Sequence, residues 1–269
     1  MNNGKRHNML NYWKKRFTEP GILFLQVARN APEKAIMVSN KDGNYEVYAV
    51  DLVNGKSCQL TNRSHGTLFG SISPDGEYVY YFSDIDGSEN GHFMRVPFSG
   101  GASVDITPLL PPYFSFSVSI DDNDHSLIFS AAVKDENRIY LISNEKNLVE
   151  RPQILYSTKQ VLQKPIISSD GCLTCCISGK DKILPPKLLI FNNATGKIVI
   201  EKILESCGTW TALAFRDKEI LLLTNQYGIY TPVIFNIQDG IFGLLEHEQI
   251  KGDVFVLGWN KDNKLLVIG

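Results

Sequence analysis

The stretch Ser71-Ile-Ser-Pro-Asp-Gly-Glu-Tyr-Val-Tyr-Tyr-Phe82 decides how this chain folds. A short apolar strand runs into a Pro-Asp-Gly turn, and an aromatic, β-branched strand leaves it. Proline presets φ for the turn, aspartate bonds its own downstream backbone, and glycine accepts a positive φ. Similar turns recur at Ser168-Ser-Asp-Gly-Cys-Leu173, at Phe215-Arg-Asp-Lys-Glu-Ile220 and at Trp259-Asn-Lys-Asp-Asn-Lys264. Asp122, within Ile120-Asp-Asp-Asn-Asp124, fits the same slot. Asp75, Asp122, Asp170, Asp217 and Asp262 therefore recur at spacings of 47, 48, 47 and 45 residues.

A fixed period in the forties separates a repeat array from an irregular sandwich. Helical repeats of that length would carry 3.6-residue apolar periodicity; the segments here are short and β-rich instead. Tyr45-Glu-Val-Tyr-Ala-Val50, Lys187-Leu-Leu-Ile-Phe191 and Thr231-Pro-Val-Ile-Phe-Asn-Ile237 are examples, each followed by a polar turn. Those turns, Asp51-Leu-Val-Asn-Gly55, Asn192-Asn-Ala-Thr-Gly196 and Gln238-Asp-Gly240, suit the outer hairpin of a four-stranded blade. The expected fold is all-β: a β-propeller with blades near 22–66, 67–113, 114–160, 161–208 and 209–254, and the start of a sixth over 255–269. Residues 1–20 form a polar lead in which Asn8–Phe17 reads as a short helix. An apolar strand, Leu265-Leu-Val-Ile-Gly269, follows the last turn and would leave an unpaired edge. The expectation is a fragment, a truncated product or one part of a split protein; an open five-bladed form that pairs its ends differently is the alternative.

Composition narrows the partners. The 269 residues are 43% hydrophobic and 21% charged, ordinary for a globular chain with a substantial core. A net charge of −2 gives no basic footprint for nucleic acid, and the one basic cluster, Lys14-Lys15-Arg16, is short. No apolar run follows Lys5 and Arg6 as a secretory signal requires, and none approaches the roughly 20 residues of a membrane helix. Five cysteines, three of them at 172, 175 and 176, argue against a disulfide framework, so a reducing cytoplasm is the expected compartment. The Asn62 and Asn193 sequons carry no weight there.

Within residues 22–113 the likeness becomes specific. Gly70-Ser-Ile-Ser-Pro-Asp-Gly76, Asp84-Ile-Asp-Gly87, Arg95-Val-Pro-Phe-Ser-Gly-Gly101 and Asp105-Ile-Thr-Pro108 resemble a TolB-type propeller repeat. With Gly91-His92 and Pro111-Pro-Tyr113, and with the lead Tyr12-Trp-Lys-Lys-Arg-Phe17, the chain resembles a narrower group. That group is the N-terminal propeller of prolyl-oligopeptidase-like serine peptidases, of the acylaminoacyl-peptidase kind. The resemblance covers about the first 115 residues; later blades keep the turn but lose Ser-Pro-Asp-Gly. It implies a propeller that restricts access to a C-terminal α/β-hydrolase domain, which supplies the Ser-Asp-His triad. No Gly-x-Ser-x-Gly elbow occurs in this sequence, so no triad residue is carried over and no catalytic residue is assigned.

Other constellations have plain readings. In a strand Cys172 and Cys176 share one face and Cys175 takes the other, so the thiols pack rather than chelate, and no metal or cofactor is assigned. Asp84-Ile-Asp-Gly-Ser-Glu-Asn90 lacks the ligand spacing of a calcium loop and reads as a hairpin turn. Gly55-Lys56-Ser57 and Gly196-Lys197 lack the upstream glycine of a phosphate loop. Trp210 and Trp259 pack between blades or form an aromatic platform at the ring centre. His65-Gly66 reads as an interblade turn, and His7, His125 and His247 have no partner by spacing. The candidate contact loop is Glu89, His92 and Arg95, placed on an insertion between the second and third strands of blade two. It would bind a substrate carboxylate or dock another domain, with a solvated hairpin tip as the plain alternative. Two functions remain open: the gating propeller of a serine peptidase, inactive alone and partnered by an α/β-hydrolase domain, or a stand-alone propeller binding a peptide or protein. A decayed remnant is a third.

Overall fold

The computed structural model describes residues 19–143, 151–179, 185–245, 252–259 and 265–268. Blade one comprises β1 (Ile22–Val27), β2 (Lys34–Ser39), β3 (Glu46–Asp51) and β4 (Lys56–Gln59). Blade two comprises β5 (Gly70–Ile72), β6 (Tyr78–Asp84), β7 (Gly91–Pro97) and β8 (Val104–Asp105). Blade three comprises β9 (Val118–Ile120), β10 (Ser126–Val133), β11 (Glu136–Ser143) and β12 (Gln153–Thr158). Blade four comprises β13 (Ile166–Ile167), β14 (Leu173–Ser178), β15 (Lys187–Asn192) and β16 (Lys197–Ile203). Blade five comprises β17 (Trp210–Arg216), β18 (Glu219–Thr224), β19 (Thr231–Asn236) and β20 (Phe242–Leu244). A hairpin of β21 (Phe255–Trp259) and β22 (Leu265–Ile268) begins a sixth unit.

Each of the five blades is a four-stranded antiparallel meander, and the blades stand in a ring, a five-bladed β-propeller. Among the described residues there is no helix. The expected helix over Asn8–Phe17, the basic cluster, the Asp262 turn, His7 and His247 lie outside the described residues.

Strand alternation sends one face of each blade into each neighbour. Between blades two and three the wall is aromatic: Tyr80, Phe93, Tyr113, Phe129 and Tyr140 are buried together. Phe93 and Phe129 meet edge to face at 5.2 Å, and Phe129 stacks on Tyr140 at 5.3 Å. Each such pair adds about 1 kcal/mol beyond its area burial. Between blades three and four, Ile128, Ile139, Cys176, Leu189 and Phe191 fill the seam. Between blades four and five, Cys175, Ile190, Trp210, Leu222 and Phe235 do so. Trp210 is thus an interblade residue, its Nε1 donating to the Glu205 carbonyl at 3.1 Å. Trp259 lies beside blade five, with the Arg216 guanidinium 5.3 Å from its ring.

The repeated turn has one chemistry. Asp75 Oδ1 accepts from the Ser73 hydroxyl at 2.6 Å and the Glu77 amide at 2.9 Å. Asp170 Oδ1 accepts from the Ser168 hydroxyl at 2.6 Å and the Cys172 amide at 2.9 Å. In blade three the register differs from the sequence expectation. Asn123, not Asp122, stands in the aspartate slot, and Asp121 replaces the serine: its amide donates to the Ser126 carbonyl and its carboxylate accepts from the Asn123 and His125 amides. Asp124, at φ 57°, stands where Gly76 and Gly171 stand at φ 69° and 72°. Asp122 instead ties blades together: its amide donates to the Ser169 carbonyl at 3.0 Å, and its carboxylate pairs with Arg29 at 2.5 Å.

Candidate functional site

Because a meander alternates, the first and third turns of each blade lie on one face of the ring. The second turns and the interblade connections lie on the other. On the turn face the first turns of blades one to four are tied to one another. The Asn30 amide donates to the Pro74 carbonyl at 2.8 Å, and Asn30 Nδ2 donates to the Asp122 carbonyl at 3.0 Å. Arg29 Nη2 donates to the Ile120 carbonyl at 2.5 Å.

The connection face is different. Leu68, Phe114, Phe116, Val161, Tyr227 and Ile229 are all exposed there. Phe116, 53% exposed, borders two cavities. One, of about 200 Å³, is lined by His65, Leu68, Phe82, Glu89 and Phe114 among others. The other, of about 590 Å³, is lined by Val161, Leu162, Lys164, Pro186, Trp210 and Tyr230 among others. Phe116 is common to both linings, which between them draw on the connections from blade one to blade five. Where the inner strands β1, β5, β9, β13 and β17 converge lies a third cavity of about 310 Å³, also bordered by Lys164.

The three residues singled out by sequence do not meet as one group. Only Glu89 lies in the turn between β6 and β7; His92 and Arg95 belong to β7 itself, where a spacing of three puts them on opposite faces. His92 Nδ1 lies 2.7 Å from Asp105 Oδ2, and its ring stacks on Tyr113 at 5.7 Å. Arg95 lies over the Tyr78 ring at 4.6 Å. Glu89 borders the smaller cavity, held at φ 60°, a backbone conformation that costs a non-glycine residue about 1 kcal/mol. His65, in the interblade turn expected at His65-Gly66, borders the same cavity and lies beside Gly87 of the Glu89 turn.

Three of the strings that carried the family resemblance, Gly91-His92, Asp105–Pro108 and Pro111–Tyr113, meet in one set of bonds. The Gly91 amide donates to the Tyr113 carbonyl at 2.9 Å, and the Tyr113 amide returns to Gly91 at 3.1 Å. The Tyr113 hydroxyl accepts from the Phe93 amide at 3.1 Å and lies 2.9 Å from the Thr107 hydroxyl. Burial pushes the Tyr113 phenol far up, so it stays protonated at any ordinary pH. A Cβ on Gly91 would sit 1.9 Å from the Ser83 carbonyl oxygen, which explains the glycine there. Cys175 and Cys176 are buried on opposite seams and Cys172 is exposed in the turn, so the three thiols do not converge and only two of them pack inside.

No protein-family model matches this chain, and no curated protein matches it. Solved structures do. An oligogalacturonate lyase in complex with manganese aligns with a TM-score of 0.70 at 12% identity, over 90% of this chain and 69% of its own. A prolyl endopeptidase aligns at 0.67 with 8% identity, over 89% of this chain. This chain spans 38% of that enzyme's length. A TolB-like protein from Agrobacterium tumefaciens aligns at 0.60 with 13% identity, over 83% of this chain and 80% of its own. At such identities the likeness establishes the fold. The chain is a β-propeller. Among the described residues no helix is long and apolar enough to cross a membrane.

Proposed function

We propose that this chain is a peptide-handling propeller: it selects or gates peptides for a prolyl-oligopeptidase-like serine peptidase and is not catalytic by itself. The observation that carries this reading is the pair of largely apolar cavities on the connection face that share Phe116 in their linings. Such cavities accept an extended apolar chain, and loops on a rigid scaffold set which chain fits. The prolyl endopeptidase alignment and the strings in blade two support it. In this reading Glu89, on its constrained turn, contacts the substrate or the partner hydrolase domain from the wall of the smaller cavity. His92 and Arg95 shape the strand behind it.

The test is direct. The purified chain should bind apolar peptides, lose that binding in Phe116→Ser, and turn over no acyl-peptide chromogenic substrate. Turnover blocked by a fluorophosphonate would overturn the non-catalytic half. The TolB-like alignment, which covers 80% of that protein, supports a second reading as a stand-alone peptide- or protein-binding propeller. Co-purification with an α/β-hydrolase chain favours the first reading; a stable complex with a different protein favours the second.

A further inference from the structure

The central cavity contains a cation whose role in the fold is unaccounted for. Its lining is polar at Gln26, Arg29, Ser71, Ser119, Lys164 and Ser169. Two of these are committed elsewhere. Arg29 pairs with Asp122 and donates to the Ile120 carbonyl, and the Ser119 hydroxyl donates to the Pro165 carbonyl at 2.8 Å. Lys164 is not committed: among the described residues it makes no ion pair and no hydrogen bond.

Its backbone, by contrast, is fixed on both sides. Gln163 Nε2 donates to the Trp210 carbonyl of blade five at 2.6 Å, and Pro165 is buried and accepts from Ser119 of blade three. Lys164 is therefore presented by a rigid connection, exposed to the cavity space while the surrounding blades crowd it. That crowding lowers its pKa, and no neighbouring carboxylate opposes the shift. An exposed ammonium with no counter-charge beside it is available to pair with an anion. Lys164 also borders the larger of the two Phe116 cavities, so it stands between that cavity and the ring centre. Gln26, whose Oε1 accepts from the Ile72 amide at 3.3 Å, has an Nε2 that donates to no protein acceptor among the described residues. The Lys164 ammonium and the Gln26 amide N–H are donors of the kind a carboxylate takes.

We propose that Lys164 anchors the C-terminal carboxylate of a short apolar peptide lying along the Phe116 cavities. This assignment rests on the peptide-handling reading. The cavity, at about 310 Å³, has room for a chain end rather than a folded partner.

Calorimetric titration of the full chain with N-acetyl-Leu-Phe-Leu, its C-terminal amide and succinate tests it. The acid should bind about tenfold more tightly than the amide, the difference expected of one charge-assisted contact. Lys164→Gln should erase that preference and Lys164→Arg should restore it, both melting like the parent, whereas Phe116→Ser should weaken acid and amide alike. Equal affinity for acid and amide, or a preference that survives Lys164→Gln, overturns the anchor and leaves the peptide-handling reading standing. Binding of succinate through Lys164 with no peptide binding overturns the peptide assignment together with that reading.

Discussion

On the turn face, Asn30 reaches both Pro74 and Asp122, and Asp122 reaches Ser169, so four blades are joined by backbone-directed bonds. On the connection face the same meander leaves Phe114, Phe116, Val161 and Tyr227 exposed around two cavities. The difference lies in what the residues bond to. First-turn side chains on the turn face mostly satisfy backbone groups, which fixes geometry and leaves little for a ligand. Connection-face side chains leave apolar surface unpaired, which a ligand can cover. Stability and recognition are therefore separable in this molecule, and substitutions on the two faces should sort accordingly.

The largest effect is expected at Gly171. Its φ is 72°, and an added Cβ would sit 2.6 Å from Asp121 Oδ2 of the neighbouring turn. Gly171→Ala should cost about 2–3 kcal/mol in urea unfolding. Gly76→Ala should cost less, because its closest neighbour is the flexible Lys34 side chain. A neutral result at Gly171 would break the picture of rigidly tied first turns.

Next come the turn carboxylates, which should differ in their pH response. The Ser168 hydroxyl and Cys172 amide hold Asp170 below the usual carboxylate range. Its contribution is present above the unfolded value near 3.8 and is lost as pH falls through the folded one. Asp170→Ala should cost about 1–2 kcal/mol at pH 7 and little in strong acid. Asp124 has the opposite sign. Burial, and then the charges of Asp75 and Asp121, raise it to about 6. The folded state then binds the proton more tightly than the unfolded chain, and stability declines as pH rises from about 4 to 6. Asp124→Asn, which tolerates the positive φ, should raise stability by about 1 kcal/mol above pH 7 and by progressively less toward pH 4. Thermal melts across that range check both.

The smallest effect on stability is expected on the open face. Phe116→Ser and Leu68→Ser should stay within about 0.5 kcal/mol of the parent while peptide binding falls. A large loss of stability there would mean that these residues are part of the core.

The all-β repeat was legible because Asp75 and Asp170 turns are local devices, written within six residues of chain. Blade three was misplaced by one residue, since the Asp121–Asp124 run offers several carboxylates and only long-range bonds to Arg29 and Ser169 decide which one caps the turn. The first blade's turn at Asn30-Ala-Pro-Glu33 has no Asp-Gly and gave no signal; its place is set by contact with Pro74. The site was less legible. His92 was paired with its sequence neighbours, yet its partner is Asp105, brought alongside by the pairing of β7 with β8. Lys164 carries no motif, and its isolation emerges only where five inner strands converge. Sequence spacing reports bonds within a hairpin, whereas the cavities are made between blades.

Cys175 and Cys176 are adjacent in the chain yet belong to different seams, one facing blade five and the other blade three. Both are fully buried, and burial pushes the Cys176 thiol up to about 12 and Cys175 well above its ordinary value. Neither reacts until its own seam parts. The chain therefore carries two independent clocks on neighbouring residues. Alkylation rates at the two thiols, separated by mass spectrometry, time how often each pair of blades breathes.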